Sequence, residues 1–264
     1  MSCKVQQSVC SDCVTYVKSR IQFNTFNTFN NVEAKTQVLN MDCLEFLREQ
    51  PDKSFDLAVV DPPYGGANDL SINGGGRFGE RFDRYKNGRD MGDEVRKKII
   101  GWDVAPGEEY FKELFRVSKN QIIWGGNYFS LPPTRCFLVW RKLTISESFT
   151  MAMAEYAWTS FNGNAKVFEC APQGTSKDQR FHPTQKPVAL YTWVFKQFAK
   201  PGDRVLDTHL GSGSSRIAAY GLDLDFTGIE IDKEYFDKSV ERFELVCHGV
   251  QDIGGHKVEQ GSLF

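Results

Sequence analysis

One tetrapeptide of the sequence, Asp61-Pro-Pro-Tyr64, combines an acid, two prolines and an aromatic ring. Each proline fixes its own φ angle and lacks an N–H group, so the carbonyl groups around Pro62 and Pro63 are held without competing donors. An acid beside a rigid carbonyl offers two acceptors to one amino group, and the Tyr64 ring can stack on a planar group. The same residues also suit a simple turn. The tetrapeptide therefore predicts either a turn or a site for a planar amine.

A second segment, residues 205–230, has the pattern of an adenosine-binding unit. An apolar run ends at Asp207, a turn with Gly211 and Gly213 follows, and the next apolar run ends at Glu230. Glycines let the backbone approach a ligand closely, and an acid about 20 residues after such a turn commonly binds ribose hydroxyls. The alternative is a tight strand-to-helix turn in which the serines cap the helix.

Two features of this second segment indicate which nucleotide it suits. The Gly-x-Gly-x-x-Gly pattern of dinucleotide sites is broken, because Arg216 stands at the third glycine position. Asp207 at the end of its strand would repel a pyrophosphate but would suit an amino group. S-adenosylmethionine carries an adenosine and an α-amino group and has no phosphate, so the segment favours it over NAD as the cofactor.

The elements that must position these residues are alternating strands and helices. The periodicity predicts strands at 37–40, 55–60, 121–124, 136–140, 152–158, 204–207 and 225–230. It predicts helices at 42–49, 108–117, 187–198, 214–220 and 233–245. Such alternation indicates an α/β sheet with helices on both faces. Both chemical segments follow apolar runs, as expected for ligand sites at the carboxyl edge of the sheet.

Composition limits the classes of protein that the 264-residue chain can represent. Its formal charge of −2 excludes a polycation that coats nucleic acid by charge alone. No apolar run approaches the ~18 residues of a membrane span, and the first residues lack the apolar region of a secretory signal. Seven cysteines, an odd number, do not form a dense disulfide framework. We therefore expect a cytoplasmic protein with free thiols.

The chain divides into three parts: an irregular N-terminal extension (1–34), a main α/β domain (35–248) and a C-terminal tail (249–264). Cys10-x-x-Cys13 in the extension is half of a zinc site. A structural zinc ion needs four ligands, and neither a second such pair nor a nearby histidine supplies them. We therefore expect no metal.

Three motifs, in their order along the chain, resemble those of the amino-methylating DNA methyltransferases. Asp61–Tyr64 matches the family's catalytic motif, His182-Pro-Thr-Gln-Lys-Pro187 looks like the segment that begins its cofactor half, and Asp207-Thr-His-Leu-Gly-Ser-Gly213 is similar to its cofactor motif. This order is that of the family's β group, and the resemblance runs from about Gln37 to Leu245. It implies a Rossmann-like methyltransferase fold with a mostly parallel, seven-stranded sheet and a permuted motif order.

The resemblance also implies roles for individual residues. Asp61 and the Pro62 carbonyl would accept hydrogen bonds from the target amine, Tyr64 would stack on a base turned out of the duplex, and Pro63 completes the catalytic motif. The implied cofactor is S-adenosylmethionine, and its candidate binding residues are Asp42, Thr184, Lys186, Asp207, His209, Gly211, Gly213, Ser214 and Glu230.

Three of these assignments carry an alternative or a departure from the family. Asp42, with Glu45 three residues later, also has the spacing of a helix capping box. His209 stands where the family usually has phenylalanine, which puts cofactor affinity in question. Lys186 and Thr184 would lie by the cofactor carboxylate. The nearby His182 either belongs to the same motif or serves simply as a cap of the helix near Pro187.

The resemblance implies a restriction–modification type of reaction, methyl transfer to a base in double-stranded DNA. Aspartate at the first motif position favours the N6 amine of adenine, and the N4 amine of cytosine is the alternative. Two other classes of protein stay open. A nicotinamide-dependent oxidoreductase would leave Asp61–Tyr64 without a role, and a DNA-binding module without catalysis would explain His209 as the mark of a degraded cofactor site.

Two long polar stretches, 65–101 and 161–181, interrupt the alternation and are candidate DNA-recognition loops. Their basic side chains can pair with phosphates or with guanine edges, or can simply face solvent. The candidate DNA contacts are Arg77, Arg81, Arg84, Arg89, Lys177 and Arg180.

The last residues, Gln260-Gly-Ser-Leu-Phe264, resemble the short peptide that partners of bacterial sliding clamps use. In such a contact Gln260, Leu263 and Phe264 would bind, with the two apolar side chains in an apolar groove. An unordered terminus is the alternative. A homodimer is a further candidate assembly.

Overall fold

A computed structural model of the protein describes residues 35–65, 103–148, 152–172, 180–253 and 256–259, with only the backbone from residue 251 onward. Its strands are β1 (Thr36–Asn40), β2 (Phe55–Val60), β3 (Ser118–Trp124), β4 (Phe137–Lys142), β5 (Ala154–Thr159), β6 (Lys166–Cys170), β7 (Arg204–Asp207), β8 (Asp225–Glu230), β9 (Val250–Ile253) and β10 (His256–Glu259). Its α-helices are α1 (Cys43–Glu49), α2 (Glu108–Val117), α3 (Val188–Phe198), α4 (Ser214–Tyr220) and α5 (Lys233–Phe243).

Strands β1 to β8 form one sheet in the order β1-β8-β7-β2-β3-β5-β4-β6. Every neighbouring pair is parallel except the two that β5 makes, with β3 and with β4. A mostly parallel sheet needs both faces covered. The predicted α/β class is confirmed, and β5 is the strand that runs against the others.

The sheet has eight strands in the described residues, where the family resemblance implied seven. The additional strand, β6, pairs in parallel with β4 and lies within 161–181, so the prediction of a loop is wrong for residues 166–170. Lys166 and Glu169 are exposed, whereas Phe168 faces inward and stacks on Trp193 with ring centroids 5.1 Å apart. Because two of the five residues are charged, the sequence analysis did not recognise this segment as a short edge strand.

Some element boundaries also differ from the sequence predictions. Strand β3 begins at Ser118, directly after α2, and the Ser118 hydroxyl donates to the Leu114 carbonyl at 2.5 Å. Helix α5 ends at Phe243 and continues as a π-helical turn over Glu244–His248. Strands β9 and β10 then form an antiparallel hairpin inside the predicted tail.

Two apolar layers cover the sheet, one on each face. On one face, Leu57 and Val59 of β2 pack with α3 and α4. On the other face, Ala58 and Val60 of the same strand pack with α1 and α2. The alternation follows from the period of two along a strand, and it explains why β2 is apolar at nearly every position. No helix of the described ranges is long and apolar enough to cross a membrane.

The centre of the sheet brings the two chemical segments together. Strands β2 and β7 are neighbours, with Leu57 opposite Val205. From this pair the sheet continues to β3 on one side and to β8 on the other, so the chain leaves the two strands in opposite directions. Ligand sites of open α/β sheets lie at the carboxyl ends of such a strand pair. Asp61 and Asp207 lie at these two ends.

Candidate active site

The carboxylate of Asp61 has a protein partner on each oxygen. The Tyr64 hydroxyl donates to Oδ1 at 2.7 Å, and the Lys186 ammonium donates to Oδ2. Burial and the charge of Asp61 hold the pKa of Tyr64 well above its ordinary value, so the phenol keeps its proton and acts as a donor. Hydrogen bonds from a cation to a carboxylate are the strong ones, so the position of Asp61 is well defined.

The Tyr64 ring is packed between protein groups. It stacks on Tyr128 with centroids 4.8 Å apart and an interplanar angle of 16°, and it lies against Gly125. A Cβ atom on Gly125 would come within 2.1 Å of the Tyr64 ring, and the φ angle of Gly125 is +67°. Both facts require glycine at this position. Tyr128 is 61% exposed, so its ring covers Tyr64 from the solvent side.

Lys186 lies between two acids. Its ammonium also lies 3.2 Å from Oε2 of Glu155, and Oε1 of Glu155 lies 2.5 Å from the ammonium of Lys142. We call these four residues, Asp61, Lys186, Glu155 and Lys142, the carboxylate–lysine array. Burial alone would lower the pKa of Lys186, but the two acids raise it above its ordinary value. The structure thus places Lys186 against the catalytic motif.

Glu155 and Lys142 were missed by the sequence analysis. Burial alone would raise the pKa of Glu155, but Lys186 and Lys142 hold it below its ordinary value, so the acid is charged. The signal that could have found it is an acid in the middle of the otherwise apolar run at 152–158. An acid in a buried strand needs a cationic partner.

The glycine-rich turn after β7 is organised around Asp207. The Ser215 hydroxyl donates to Oδ2 at 2.5 Å, and the backbone N–H of His209 donates to Oδ1 at 3.1 Å. Burial raises the pKa of Asp207 to about 7. Gly211 and Gly213 have φ angles of +53° and +74°, which favour glycine at both positions. The turn is therefore set by its glycines and closed around a buried acid.

Glu230 connects this turn to the next strand. Its Oε2 accepts from the backbone N–H of Gly211 at 2.8 Å, and its Oε1 accepts from the N–H of Asp232 at 2.9 Å. Burial raises the pKa of Glu230. Both oxygens thus hold backbone groups at the carboxyl edge of the sheet.

Asp42 is the N-cap of α1. Its Oδ1 accepts from the backbone N–H groups of Leu44 and Glu45 at 2.8 and 3.0 Å. The predicted capping function is confirmed. The charge of Asp42 also acts on His209, so Asp42 lies near the glycine-rich turn as well.

His209 packs where the family usually has phenylalanine. Its ring meets the edge of Tyr110 with centroids 5.5 Å apart, and its Nδ1 lies 3.0 Å from the Thr208 hydroxyl. That hydroxyl in turn lies 2.6 Å from the Tyr110 hydroxyl. Burial lowers the pKa of His209 to about 4. At neutral pH His209 is therefore an uncharged ring, as phenylalanine would be.

The segment before α3 lies against the glycine-rich turn. A Cβ atom on Gly211 would lie 3.5 Å from the His182 ring, and the Thr184 hydroxyl lies 3.2 Å from Nδ1 of His182. Arg180 donates to the carbonyl groups of Pro183 and Gln185 at 3.3 and 3.5 Å. Arg180, predicted as a DNA contact, thus forms hydrogen bonds with the backbone of this segment.

Ser214 begins helix α4 at the end of the turn. Its hydroxyl lies 3.2 Å from that of Ser212 and accepts from Nη1 of Arg242 at 2.9 Å. Arg242 also donates to the Ser212 carbonyl at 2.8 Å. This buried arginine of α5 was not singled out from the sequence, and its hydrogen bonds hold Ser212 and Ser214 in place.

Asp61 and Asp207 lie close to each other, because they stand at the carboxyl ends of the neighbouring strands β2 and β7. Within the described ranges there is no group of three or more acids, histidines or cysteines that could hold a metal ion. The remaining candidates lie outside the described residues. These are Arg77, Arg81, Arg84, Arg89, Lys177, Gln260, Leu263, Phe264, and the cysteines Cys10 and Cys13.

Comparison with known proteins was made on the sequence and on the fold. The model of the DNA methylase family matches residues 123–241. The type II methyltransferase M.HpaI of Haemophilus parainfluenzae is 37% identical over 78 residues, which are 30% of this chain and 25% of M.HpaI. The type II methyltransferase M.HinfI of Haemophilus influenzae is 24% identical over 258 residues, covering 82% of this chain and 70% of M.HinfI.

Two solved structures share the fold. The PvuII DNA methyltransferase, a cytosine-N4-specific enzyme, superposes with a TM-score of 0.52 at 13% identity, covering 82% of this chain and 94% of its own. A DNA modification methylase of Thermus thermophilus, solved with S-adenosyl-L-methionine, gives a TM-score of 0.50 at 17% identity, covering 85% and 97%. The predicted Rossmann-like methyltransferase fold is thus confirmed.

The family match includes strands β4 to β8 and with them the glycine-rich turn, while the M.HinfI alignment extends over most of the chain. Motifs, fold and relatives agree, and the chain is similar to the amino-methylating DNA methyltransferases.

Proposed function

We propose that this protein transfers a methyl group from S-adenosylmethionine to the N6 amine of adenine in double-stranded DNA. The observation that carries the proposal is the pairing of β2 with β7, which sets Asp61 beside the turn that contains Asp207. An amine acceptor and a cofactor site then share one edge of the sheet. The reaction needs both within one cavity.

The residues of the glycine-rich turn fit S-adenosylmethionine. Asp207 offers a carboxylate to its α-amino group, and Gly211 and Gly213 allow close approach of the backbone. Glu230 lies at the end of β8, where an acid commonly binds ribose hydroxyls. His209, Asp42, Thr184 and Ser214 border the same turn. Two buried acids would repel the pyrophosphate of NAD, which disfavours the oxidoreductase alternative.

When bound, S-adenosylmethionine supplies an electrophilic methyl group on a sulfonium. The exocyclic amine of adenine is a weak nucleophile, because its lone pair is delocalised into the ring. Asp61 and the Pro62 carbonyl would accept from its two N–H bonds and favour a lone pair directed at the methyl group. An ionised carboxylate has about four acceptor positions, so Asp61 can accept from the amine beside Tyr64 and Lys186. Positioning and fixed charges then provide most of the rate enhancement.

The base must leave the duplex before Asp61 can reach its amine. Tyr64 is the proposed stacking partner, and its outer side is covered by the exposed ring of Tyr128. A base that stacks on Tyr64 would therefore displace Tyr128 or enter beside it. Aspartate at the first motif position supports adenine as the target.

Methylation-sensitive sequencing of DNA from cells that express the protein in an unmethylated background tests this function. We expect N6-methyladenine at one short sequence. N4-methylcytosine instead would overturn the choice of base, and unmodified DNA would overturn the proposed activity. Calorimetry with S-adenosylmethionine and with NAD adds a test of the cofactor, for which only the first should bind.

A further inference from the structure

We propose that Glu155 is a positioning residue of the reaction, which holds the ammonium of Lys186 beside Asp61 and is itself held by Lys142. The proposal rests on the proposed function, because it concerns how Asp61 is presented to the target amine. Neither the motifs nor the relatives assign a role to Glu155 or to Lys142.

The first argument is the charge sequence of the carboxylate–lysine array. Acid and base alternate from Asp61 through Lys186 and Glu155 to Lys142, and the lysine side chains are only 4% and 7% exposed. A buried ammonium is costly unless it is paired. Without Glu155, Lys186 would share only one negative charge, and Lys142 would lose the acid that it pairs with.

The second argument is the unequal bonding of the two Glu155 oxygens. Oε1 lies 2.5 Å from Lys142, whereas Oε2 lies 3.2 Å from Lys186 and is buried without a hydrogen bond. Lys186 therefore makes its closer contact with Asp61 and its longer contact with Glu155. Oε2 stays an acceptor within reach of Lys186 both before and after the amine binds beside it on Asp61. Glu155 thus balances the charge of Lys186 in either arrangement.

The third argument is the direction of β5, the strand that runs against the others. Because β5 is antiparallel to β3 and β4, its first residues lie at the edge where the parallel strands end. Glu155 is the second residue of β5, and Lys142 is the last residue of β4. Because β5 runs in the opposite direction, the acid near its N-terminal end lies at the active-site edge of the sheet.

The variant Glu155→Gln tests the proposal, because it keeps the size of the side chain and removes its charge. We expect the rate of methyl incorporation into unmethylated genomic DNA, with enzyme in excess, to fall at least about tenfold. Calorimetry should give a dissociation constant for S-adenosylmethionine within about twofold of the wild-type value, and Glu155→Asp should recover part of the rate.

Two further variants separate positioning from simple stability. The double variant Glu155→Gln/Lys142→Met removes the unpaired buried cation, so we expect it to regain thermal stability while the rate stays low. Glu169→Gln breaks the exposed pair of Glu169 with Arg141, 2.8 Å apart and joining β4 to β6. As a matched control it should leave both the rate and the stability near wild type.

A measurement that does not depend on methyl transfer tests the role of Glu155 independently of the proposed function. In nitrogen-edited NMR the Lys186 ammonium, assigned with Lys186→Arg, should give a protected signal in the wild type that is lost in Glu155→Gln. An unchanged signal, or a wild-type rate in the double variant, would overturn the role of Glu155. If the wild type methylates no DNA while the signal still depends on Glu155, the proposed function fails and the positioning of Lys186 by Glu155 stands.

Discussion

At the scale of single residues, the site consists of acids whose surroundings differ. Asp61 faces a cation and a neutral phenol, whereas Asp207 is buried among a hydroxyl and a backbone N–H group. Two carboxylates with different partners can take different functions, as acceptor for an amine and as part of a cofactor site.

Replacement of Asp61 by alanine should separate these two functions. We expect methyl transfer to be lost, because the target amine loses its charged acceptor. Binding of S-adenosylmethionine, measured by calorimetry, should stay within about threefold of the wild-type affinity, since Asp61 does not belong to the glycine-rich turn. Loss of both properties in a folded protein would refute the division.

Gly125 controls the position of the Tyr64 ring. Gly125→Ala would place a methyl group within 2.1 Å of the Tyr64 ring at a φ angle of +67°, so we expect a loss of about 3 kcal/mol in the free energy of unfolding. Methyl transfer should also fall, because Tyr64 must shift away from Asp61. Urea unfolding and incorporation assays measure the two effects.

Gly107→Ala is the matched control for this substitution. A Cβ atom there meets nothing within 4 Å, and its φ angle of −76° suits any residue. We expect a loss of about 1 kcal/mol at most, because Gly107 is the N-cap of α2, where alanine is less favourable than glycine. Equal effects of the two substitutions would show that the ring contact with Gly125 does not matter.

At the scale of elements, strand β7 and the turn after it bury the side chain of Asp207, and this burial brings its pKa close to neutrality. Burial raises the pKa of Asp207 from 3.8 to about 7. Between these values the folded state keeps a proton that the unfolded state has released. The contribution of Asp207 to stability is therefore most favourable at low pH and decreases as the pH rises through 7.

The same titration predicts the pH dependence of cofactor binding. The α-ammonium group of S-adenosylmethionine prefers a charged Asp207, so the affinity should rise as the pH increases from 5.5 to 7.5. In Asp207→Asn the affinity should be lower and nearly constant over this range, and the unfolding free energy should fall less than that of the wild type between pH 5 and 8. Calorimetry and urea unfolding at several pH values check both expectations.

Elements also show how far the sequence alone can lead. The strands that lead to Asp61 and Asp207 were predictable because each is an apolar run next to an acid. Gly211 and Gly213 were recognisable because a tight turn with positive φ angles favours glycine. β6 was not recognised because it contains charged residues, which an edge strand tolerates since it needs only one apolar face. The contact of Lys186 with Glu155 depends on strand order, which no local pattern contains.

At the scale of the whole molecule, a net charge of −2 has to be reconciled with the proposed binding to DNA, a polyanion. The basic candidates between Arg77 and Arg89 are set in an otherwise balanced chain. Few phosphate contacts give weak non-specific binding, and each contact releases counterions.

DNA affinity should therefore fall at least about tenfold when the salt concentration rises from 50 to 200 mM. Binding of S-adenosylmethionine should change little over the same range, because the acids of its proposed site, Asp207 and Glu230, are buried and less screened by salt. Fluorescence anisotropy with an unmethylated duplex and calorimetry with the cofactor measure the two. A DNA affinity that does not change with salt concentration would contradict binding through phosphate contacts.

The neighbouring positions of β2 and β7 have a consequence for synthesis of the protein. Leu57 meets Val205 only when most of the chain has left the ribosome, and contacts between such distant residues form late in folding. A nascent or truncated chain that stops before β7 carries the catalytic tetrapeptide but has no turn to hold the methyl donor. The proposed methylation therefore requires a chain that extends beyond β7, and an N-terminal fragment that stops before β7 should not modify DNA.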